Sequence, residues 1–355
     1  MTVVEFFDEE ALDNAAGVLL LKPERLVLLH EEGKGRDFSE TLGRILKNKN
    51  IKTEIITEDV DVSCVGTARA KIEEIALRFP DCDFDISGGN DIMLVAMGEV
   101  AKKHSLPMHS VNVAEGAVTA VNSAKKYTVY PIKLTVEELI RLHGGRATNE
   151  NREIEASSWK RNMDAERDIE KVWEICKSDP QAWNGAMGKW KNQGSDKTSE
   201  VWAKLRGAGL VKGRDNALRY KNTLVRYLVS RQGTALEMYT FICAKEAGMF
   251  DDGQSGVMLD WIGRGEVENE IDVLLTRGAV GYFISCKNGM VDSTELYKLD
   301  TVASRFGGRY AKKMLVISSF EPDFAFMKRA EEMGIRVIKN VKKLTKKDFV
   351  KKFII

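Results

Sequence analysis

Between residues 25 and 113, short apolar runs alternate with amphipathic helical patterns, and few folds accommodate that rhythm. Arg25–His30 is a run of the buried-strand kind, 37–49 brings Phe38, Leu42, Ile45 and Leu46 to one helical face, and 52–57 is strand-like again. The order continues with a helix over 66–79 that turns Ile72, Ile75, Ala76 and Phe79 inward, a strand at 83–86, a strongly apolar helix at 91–103 and a strand at 108–113. Alternating strands and helices predict an α/β fold with a mainly parallel sheet and helices on both faces. A further strand is expected at 128–133, and a short helix at Val136–Leu142 stopped by Gly144 and Gly145.

At 355 residues the chain is long enough for two or three domains. Its 43% apolar and 30% charged content argues against a disordered chain and a membrane-embedded one. The net charge of +1 hides an asymmetry: residues 1–146 carry 18 Lys/Arg against 24 Asp/Glu, and residues 147–355 carry 36 against 29. The two parts are therefore suited to different partners. Cys64, Cys82, Cys176, Cys243 and Cys286 are scattered with no CxxC pair, so buried reduced thiols are expected rather than disulfides or a zinc site. Acids stand near the N-terminus where a signal peptide needs bases, and no apolar run approaches the roughly 20 residues of a spanning helix. A cytoplasmic protein without a membrane partner is the expectation.

Residues 146–152 read as a polar linker. The stretch 157–222 holds five of the six tryptophans, and at 202–212 a helix, a glycine stop and a Leu-Val pair resemble the entry to the wing of a winged helix. A small helical spacer fits the same residues. From 223 a helix is expected over 236–247, then a meander of strands at 256–262, 270–275 and 281–287 with turns at 263–265 and 277–278. A helix at 294–306, a strand at 313–318, a helix at 323–333 and a strand at 336–338 complete the pattern. The expected domains are 1–145, a linking segment 146–222 and 223–355.

The strand at 83–86 runs into Ser87, Gly88, Gly89, Asn90 and Asp91, where a helix begins. Two glycines let the backbone turn sharply and approach a ligand, and a helix start offers N–H groups and partial positive charge to a phosphate. The carboxyl end of a strand is also where open α/β sheets bind ligands. The pattern is neither GxGxxG nor GxxxxGK[ST], and such a turn alone is more often a tight strand–helix connection than a ligand site. The run from Asp85 to Ala96 (DISGGNDIMLVA) nevertheless resembles the signature of the CRISPR-associated Rossmann-fold (CARF) domains. So do Phe6, Phe7, Asp8, Glu9 and Glu10, followed by Leu20, Leu21, Lys22 and Pro23 before the strand to His30. The resemblance covers about residues 1–145. It implies a Rossmann-like, dimeric domain that binds cyclic oligoadenylates, the ring-shaped RNA messengers of type III CRISPR immunity. It places the ring on Gly88, Gly89, Asn90 and Asp91, with Phe7, Asp8 and Asn14 after the first strand and Glu115 and Gly116 after Val113. Backbone amides and helix ends bind phosphates without excess lysine, so an acidic part can hold an anionic ring. No histidine stands near the glycine turn in sequence, which argues against a part that degrades its own ring.

In the meander, Glu270 and Asp272 share one strand face, as do Ser285 and Lys287, and adjacent pairing brings Asp272 and Lys287 into one patch. A carboxylate can hold Mg2+ or Mn2+ while a lysine orients the attacking water or neutralises charge on a phosphate. Glu237 is offered by the preceding helix. This set resembles the PD-(D/E)xK nuclease core: a helix Glu, a strand Asp, then (D/E)xK on the next strand. With a CARF-like part upstream, and with Glu295, Lys298 and Arg305 in the following helix, the whole chain resembles the CRISPR ancillary nucleases. The resemblance implies Glu237 and Asp272 as metal ligands and Lys287 as the activating cation. One position departs from it: Ser285 stands where the (D/E)xK acid belongs. Glu237, Glu270, a water held by Ser285 or the backbone carbonyl of Cys286 would have to supply the missing ligand.

The reading is a homodimeric nuclease with a Rossmann-like N-terminal domain, a helical or winged-helix-like middle segment and a restriction-endonuclease-like C-terminal domain. It would depend on Mn2+ or Mg2+ and be activated by cyclic tetra-adenylate or cyclic hexa-adenylate. Its substrates would be DNA and single-stranded RNA, met by the basic C-terminal part and its run Lys342, Lys343, Lys346, Lys347, Lys351 and Lys352. The rival reading is a ring-responsive transcription regulator that uses 157–222 as a winged helix and carries an inactive nuclease-like domain.

Overall fold

The computed structural model describes residues 1–32, 34–149, 159–160, 162–187, 196–213, 218–261 and 269–354. The chain forms two units. The first is Met1–Arg146 with Gly278–Val280 and Phe306–Tyr310; the second is Ala147–Arg277, Gly281–Arg305 and Ala311–Ile355.

The first unit is built from β1 (Thr2–Phe6), α1 (Ala11–Leu21), β2 (Arg25–His30), α2 (Arg36–Asn48), β3 (Glu54–Asp59), α3 (Val65–Arg78), β4 (Cys82–Asp85), α4 (Asp91–His104), β5 (Met108–Asn112), β6 (Ala117–Ala120) and α5 (Val136–Leu142). The sheet order is β3-β2-β1-β4-β5-β6. All pairs are parallel except β5 with β6. Strand alternation explains the two cores: Val3, Leu26 and Leu28 meet α1 and α2, while Val4, Phe6, Val27 and Leu29 meet α3 and α4. The strand order reverses between β1 and β4, which opens a crevice at their carboxyl ends.

Residues 128–133 correct the expected strand. They form no ladder; the Tyr130 N–H instead bonds the Leu20 carbonyl at 2.9 Å, so the segment crosses α1. Pro131 lacks the N–H that a ladder needs. The antiparallel β6 takes the sheet edge, turning back at Glu115 and Gly116 so that Ala117 pairs with Asn112.

The second unit starts within β7 (Gly145–Asn149), a strand in the second sheet where a linker was expected at 146–152; residues 150–152 lie outside the described residues. Then come α6 (Met163–Ser178), α7 (Pro180–Met187), α8 (Asp196–Gly207), β8 (Val211–Lys212), β9 (Arg219–Tyr220), α9 (Thr223–Leu228) and α10 (Thr234–Glu246). The sheet continues with β10 (Asp252–Trp261), β11 (Asn269–Arg277) and β12 (Val280–Lys287). After α11 (Ser293–Gly307) the chain closes with β13 (Lys312–Ile317), α12 (Phe324–Glu332), β14 (Ile335–Ile338) and α13 (Lys346–Lys351).

The sheet order is β14-β13-β12-β11-β10-β7. The meander of β10, β11 and β12 is present, although its expected turn at 263–265 lies outside the described residues. β13 and β14 add in parallel to β12. The middle helices pack on α10: the Trp173 ring stacks on Tyr239 at 5.0 Å, and Lys346 of α13 bridges Glu170 at 2.6 Å and Glu246 at 2.5 Å. One lysine of the C-terminal basic run is thus neutralised within the unit.

Candidate functional site

α10 and the neighbouring strands β11 and β12 bring Glu237, Asp272 and Lys287 into one part of the second unit. The tight connection between Arg277 and Val280 makes β11 and β12 a hairpin, so their central residues face across the pair. Asp272 Oδ2 accepts the Cys286 N–H at 2.6 Å and the Ser285 hydroxyl at 3.2 Å. Burial lifts the Asp272 carboxyl to about 6, and the nearby Glu270 charge adds to the lift; the Cys286 N–H and the Lys287 charge pull against it. Burial, together with the charges of Asp272 and Glu270, raises Glu237 well above the usual carboxylate range. Gly233 leaves room for that carboxylate, because a Cβ there would lie 2.5 Å from Glu237 Oε1.

Lys287 points its ammonium at Glu295 Oε2, 2.7 Å away, and Glu295 also holds Lys298 at 3.2 Å. Burial would lower the Lys287 ammonium, but the Glu295 bond and the Asp272 charge outweigh it and hold it above the ordinary lysine value. Glu270 is exposed and faces Arg231 at 3.5 Å. Cys286 turns its thiol to Thr240 at 3.6 Å, where burial keeps it protonated. Only its backbone is therefore suited to a hard cation. The sequence pattern did not reveal Arg231 as the partner of Glu270 or Glu295 as the partner of Lys287. The adjacency of Glu295 and Lys298 on one helix face was the single available signal.

The donor set suits a hard divalent ion. Carboxylates that push one another's pKa upward gain from a nearby cation, and oxygen ligands match Mg2+ or Mn2+. Among the described residues no three His, Cys, Asp or Glu side chains form a cage for a metal.

In the first unit, the loops after β1 and β4 are bonded together. Asp8 Oδ2 accepts the Gly89 N–H at 2.9 Å, and its Oδ1 accepts the Glu10 N–H at 2.8 Å. Asn14 is buried and reaches back, donating to the Phe6 carbonyl at 2.8 Å and accepting the Asp8 N–H at 2.9 Å. Gly89 has φ +102°, and a Cβ on Gly88 would come within 2.9 Å of Asp8 Cβ. The glycines are thus required by the close approach of the two loops. Asn90 caps α4 by accepting the Met93 N–H at 3.1 Å, with Asp91 in the first turn. Phe7 packs its ring 5.7 Å from Phe38. A Cβ on Gly116 would lie 3.9 Å from Leu20 Cδ2, so the turn at Gly116 sits over α1.

Beneath these loops lies a buried network that the chain order concealed. His109, fully buried, holds Asp83 at 2.7 Å and Asp85 at 3.3 Å. Asp83 also takes Lys125 at 2.7 Å and the Tyr127 hydroxyl at 2.8 Å, and Asp85 Oδ1 accepts the N–H and hydroxyl of Ser87. Burial opposes a charged imidazole, but the two carboxylates hold His109 up at about 9. Glu5 beside them is raised well above its usual range, by burial first and then by the Asp85 charge. A histidine does therefore stand near the glycine turn in space, yet it is sealed from any ligand.

Residues 223–354 match the family model described as Card1-like, endonuclease domain. No curated protein matches the sequence. Among solved structures, protein VC1899 from Vibrio cholerae aligns over 99% of this chain and 96% of its own, with a TM-score of 0.78 at 18% identity. Can2 from Sulfobacillus thermosulfidooxidans, solved in complex with cyclic tetra-adenylate, aligns over 99% of both chains with a TM-score of 0.77 at 19% identity. A type III CRISPR defence DNA nuclease activated by cyclic oligoadenylate aligns over 91% of this chain and 46% of its own, with a TM-score of 0.56 at 14% identity. The C-terminal part of the chain is thus similar to the Card1-like endonuclease domain, and the whole shares the α/β fold of these solved structures.

Proposed function

We propose that the chain is a metal-dependent nuclease of type III CRISPR defence, switched by a cyclic oligoadenylate bound to its first unit. The observation that carries this reading is the Asp272 carboxylate, held by the Cys286 N–H and Ser285, within the field of Glu237, Glu270 and Lys287. Asp272 and Glu237 would hold Mn2+ or Mg2+, with the Cys286 carbonyl as a further oxygen. The ion would supply Lewis-acid polarisation of a phosphodiester. The Cys286 N–H and Ser285 fix the orientation of Asp272, and Glu295 keeps the Lys287 ammonium charged and aimed, so that it can neutralise charge developing on a phosphate. Cyclic tetra-adenylate, whose two-fold symmetry matches a homodimer, is the favoured activator, with the six-membered ring as the alternative. It would lie on Gly88, Gly89, Asn90 and Asp91, with Phe7, Asp8 and Asn14 beside them and Glu115 and Gly116 at the rim. DNA is the favoured substrate, with single-stranded RNA as a second.

One observation favours the regulator reading: α6, α7 and α8 are followed by the antiparallel pair β8 and β9, the order of a winged helix. A single assay separates the two. The purified chain is incubated with Mn2+, plasmid and either the four- or the six-membered ring. Ring-dependent cutting that Lys287→Ala abolishes supports the nuclease. No cutting by the wild type, with a sequence-specific shift of duplex DNA, would replace it with the regulator. No helix among the described residues is long and apolar enough to cross a membrane.

A further inference from the structure

The middle helices have no part in the chemistry proposed above, yet one of them grips both sides of it. Asn288 directly follows Lys287 and is buried, 7% exposed. Its side-chain N–H donates to Asn184 Oδ1 of α7 at 3.0 Å and also lies 3.4 Å from the Gln232 carbonyl. Asn184 Nδ2 donates back to the Asn288 carbonyl at 3.4 Å. Gln232 Nε2 donates to the Asn184 carbonyl at 2.8 Å, and the Gln232 carbonyl accepts the Trp183 indole N–H at 3.1 Å. Gln232 in turn precedes Gly233, whose carbonyl accepts the Glu237 N–H at 3.1 Å at the start of α10.

These bonds join three stretches of chain that are 48, 56 and 104 residues apart. One stretch leads into the helix of Glu237, and another leaves the strand of Lys287. β12 is already paired with β13 up to Lys287, so the strand itself does not require an amide at 288. The Asn288 Nδ2 also lies 3.4 Å from Cys176 Sγ of α6, while its Oδ1 is buried without a hydrogen-bond partner among the described residues, so the bonds of Nδ2 are what hold this buried amide in place.

We infer that α7 is a positioning clamp for the site: Asn184, by holding Asn288 and Gln232 together, sets the separation of Glu237 from Lys287. The consequence for rate rests on the nuclease reading; the clamp itself does not. Asn184 touches neither metal nor substrate in this scheme and is a positioning residue.

The test compares Asn184→Leu, which keeps the volume and removes the bonds, with Asn184→Asp, which keeps the acceptor for Asn288. Cleavage of a fluorescent oligonucleotide is followed with Mn2+ and cyclic tetra-adenylate, beside thermal unfolding and amide exchange of the full chain. Asn184→Leu is expected to lower kcat by about tenfold to a hundredfold with KM changed by less than about twofold, as displacement of reacting groups does. Asn184→Asp is expected to recover most of the loss, and the Tm of both stays within about 3 °C of the wild type. Unchanged kcat in Asn184→Leu, or a loss matched by a fall in Tm and not recovered by Asn184→Asp, overturns the inference. If the wild type cuts nothing with either ring, the nuclease reading fails alone. Amide exchange then decides the clamp: faster exchange at 232–237 and 286–288 in Asn184→Leu supports it, and unchanged exchange overturns it.

Discussion

Ser285 donates its hydroxyl to Asp272 Oδ2 across 3.2 Å, so the position that departs from the (D/E)xK pattern meets the strand carboxylate as a hydrogen-bond donor. An acid at 285 would meet it as a like charge, in a place where Asp272 is already lifted to about 6 by burial and Glu270. Ser285→Ala should therefore raise the Asp272 carboxyl further and cost about 1 kcal/mol of stability for the lost bond. The acid limb of the pH–rate profile should move to higher pH, by more in Ser285→Asp than in Ser285→Ala. Profiles recorded at fixed Mn2+ check this, and an acid limb unmoved in both variants would show that Ser285 does not tune Asp272.

The carboxylates of Asp272 and Glu237 make a second prediction about stability. Their folded pKa values lie above the unfolded ones, so the stability linked to them is full below about pH 4 and is lost as pH rises through the folded values, near 6 for Asp272. At pH 7.5 the metal-free site is therefore strained by charge. Asp272→Asn should raise the metal-free Tm by about 2–4 °C, equivalent to about 1 kcal/mol, while abolishing cleavage. Mn2+ should stabilise the wild type and leave Asp272→Asn unmoved. Thermal scans at pH 5 and 7.5, with and without Mn2+, read both effects, and a variant less stable than the wild type at pH 7.5 would contradict the sign.

How much of this was legible in the sequence follows the range of the interactions. The β11–β12 hairpin could be read because Glu270, Asp272, Ser285 and Lys287 declare their faces by period-two spacing, and a turn lies between the strands. The crevice of the first unit could be read because strand, double glycine and helix are consecutive. Residues 128–133 looked like a strand because β-branched and aromatic residues cluster there, but a sheet edge is awarded by tertiary competition, which β6 won. The bonds among Asn184, Gln232 and Asn288 carry no local pattern, because each joins partners far apart in the chain. The same holds for His109 and its two aspartates, which read as ordinary strand residues.

Glu295 supplies a third prediction. It is the direct partner of Lys287, and it shares its carboxylate with Lys298. Glu295→Gln leaves a hydrogen-bond acceptor but removes the charge that raises the Lys287 ammonium. Lys287 then loses its fixed direction, and kcat/KM should fall by about tenfold. Lys298→Ala should change it by less than about twofold, since an exposed pair contributes little. Equal losses in the two variants would assign Glu295 to the helix surface rather than to Lys287.

His109 supplies the last. Its imidazole faces Asp83 and Asp85, with Lys125, Tyr127 and Glu5, whose carboxyl is raised well above its usual range by burial and the Asp85 charge, completing the surroundings. Its folded pKa, about 9, lies above the ordinary histidine value, so the stability it contributes is full below about pH 6.5 and fades as pH rises through about 9. The ring should accordingly remain an imidazolium at pH 7.5, visible in its nitrogen chemical shifts. His109→Gln removes the charge that two buried aspartates share, and breaking a buried pair from one side costs about 3–5 kcal/mol. Because Asp85 also holds the Ser87 N–H, and Ser87 accepts the Val111 N–H at 2.7 Å, the loss should reach the glycine turn. Amide exchange at 85–89 should quicken in His109→Gln, and cyclic tetra-adenylate should bind about tenfold more weakly, or about 1.4 kcal/mol. A neutral ring at pH 7.5, or exchange at the turn unaltered by the substitution, would mean that the buried network and the glycine turn are independent.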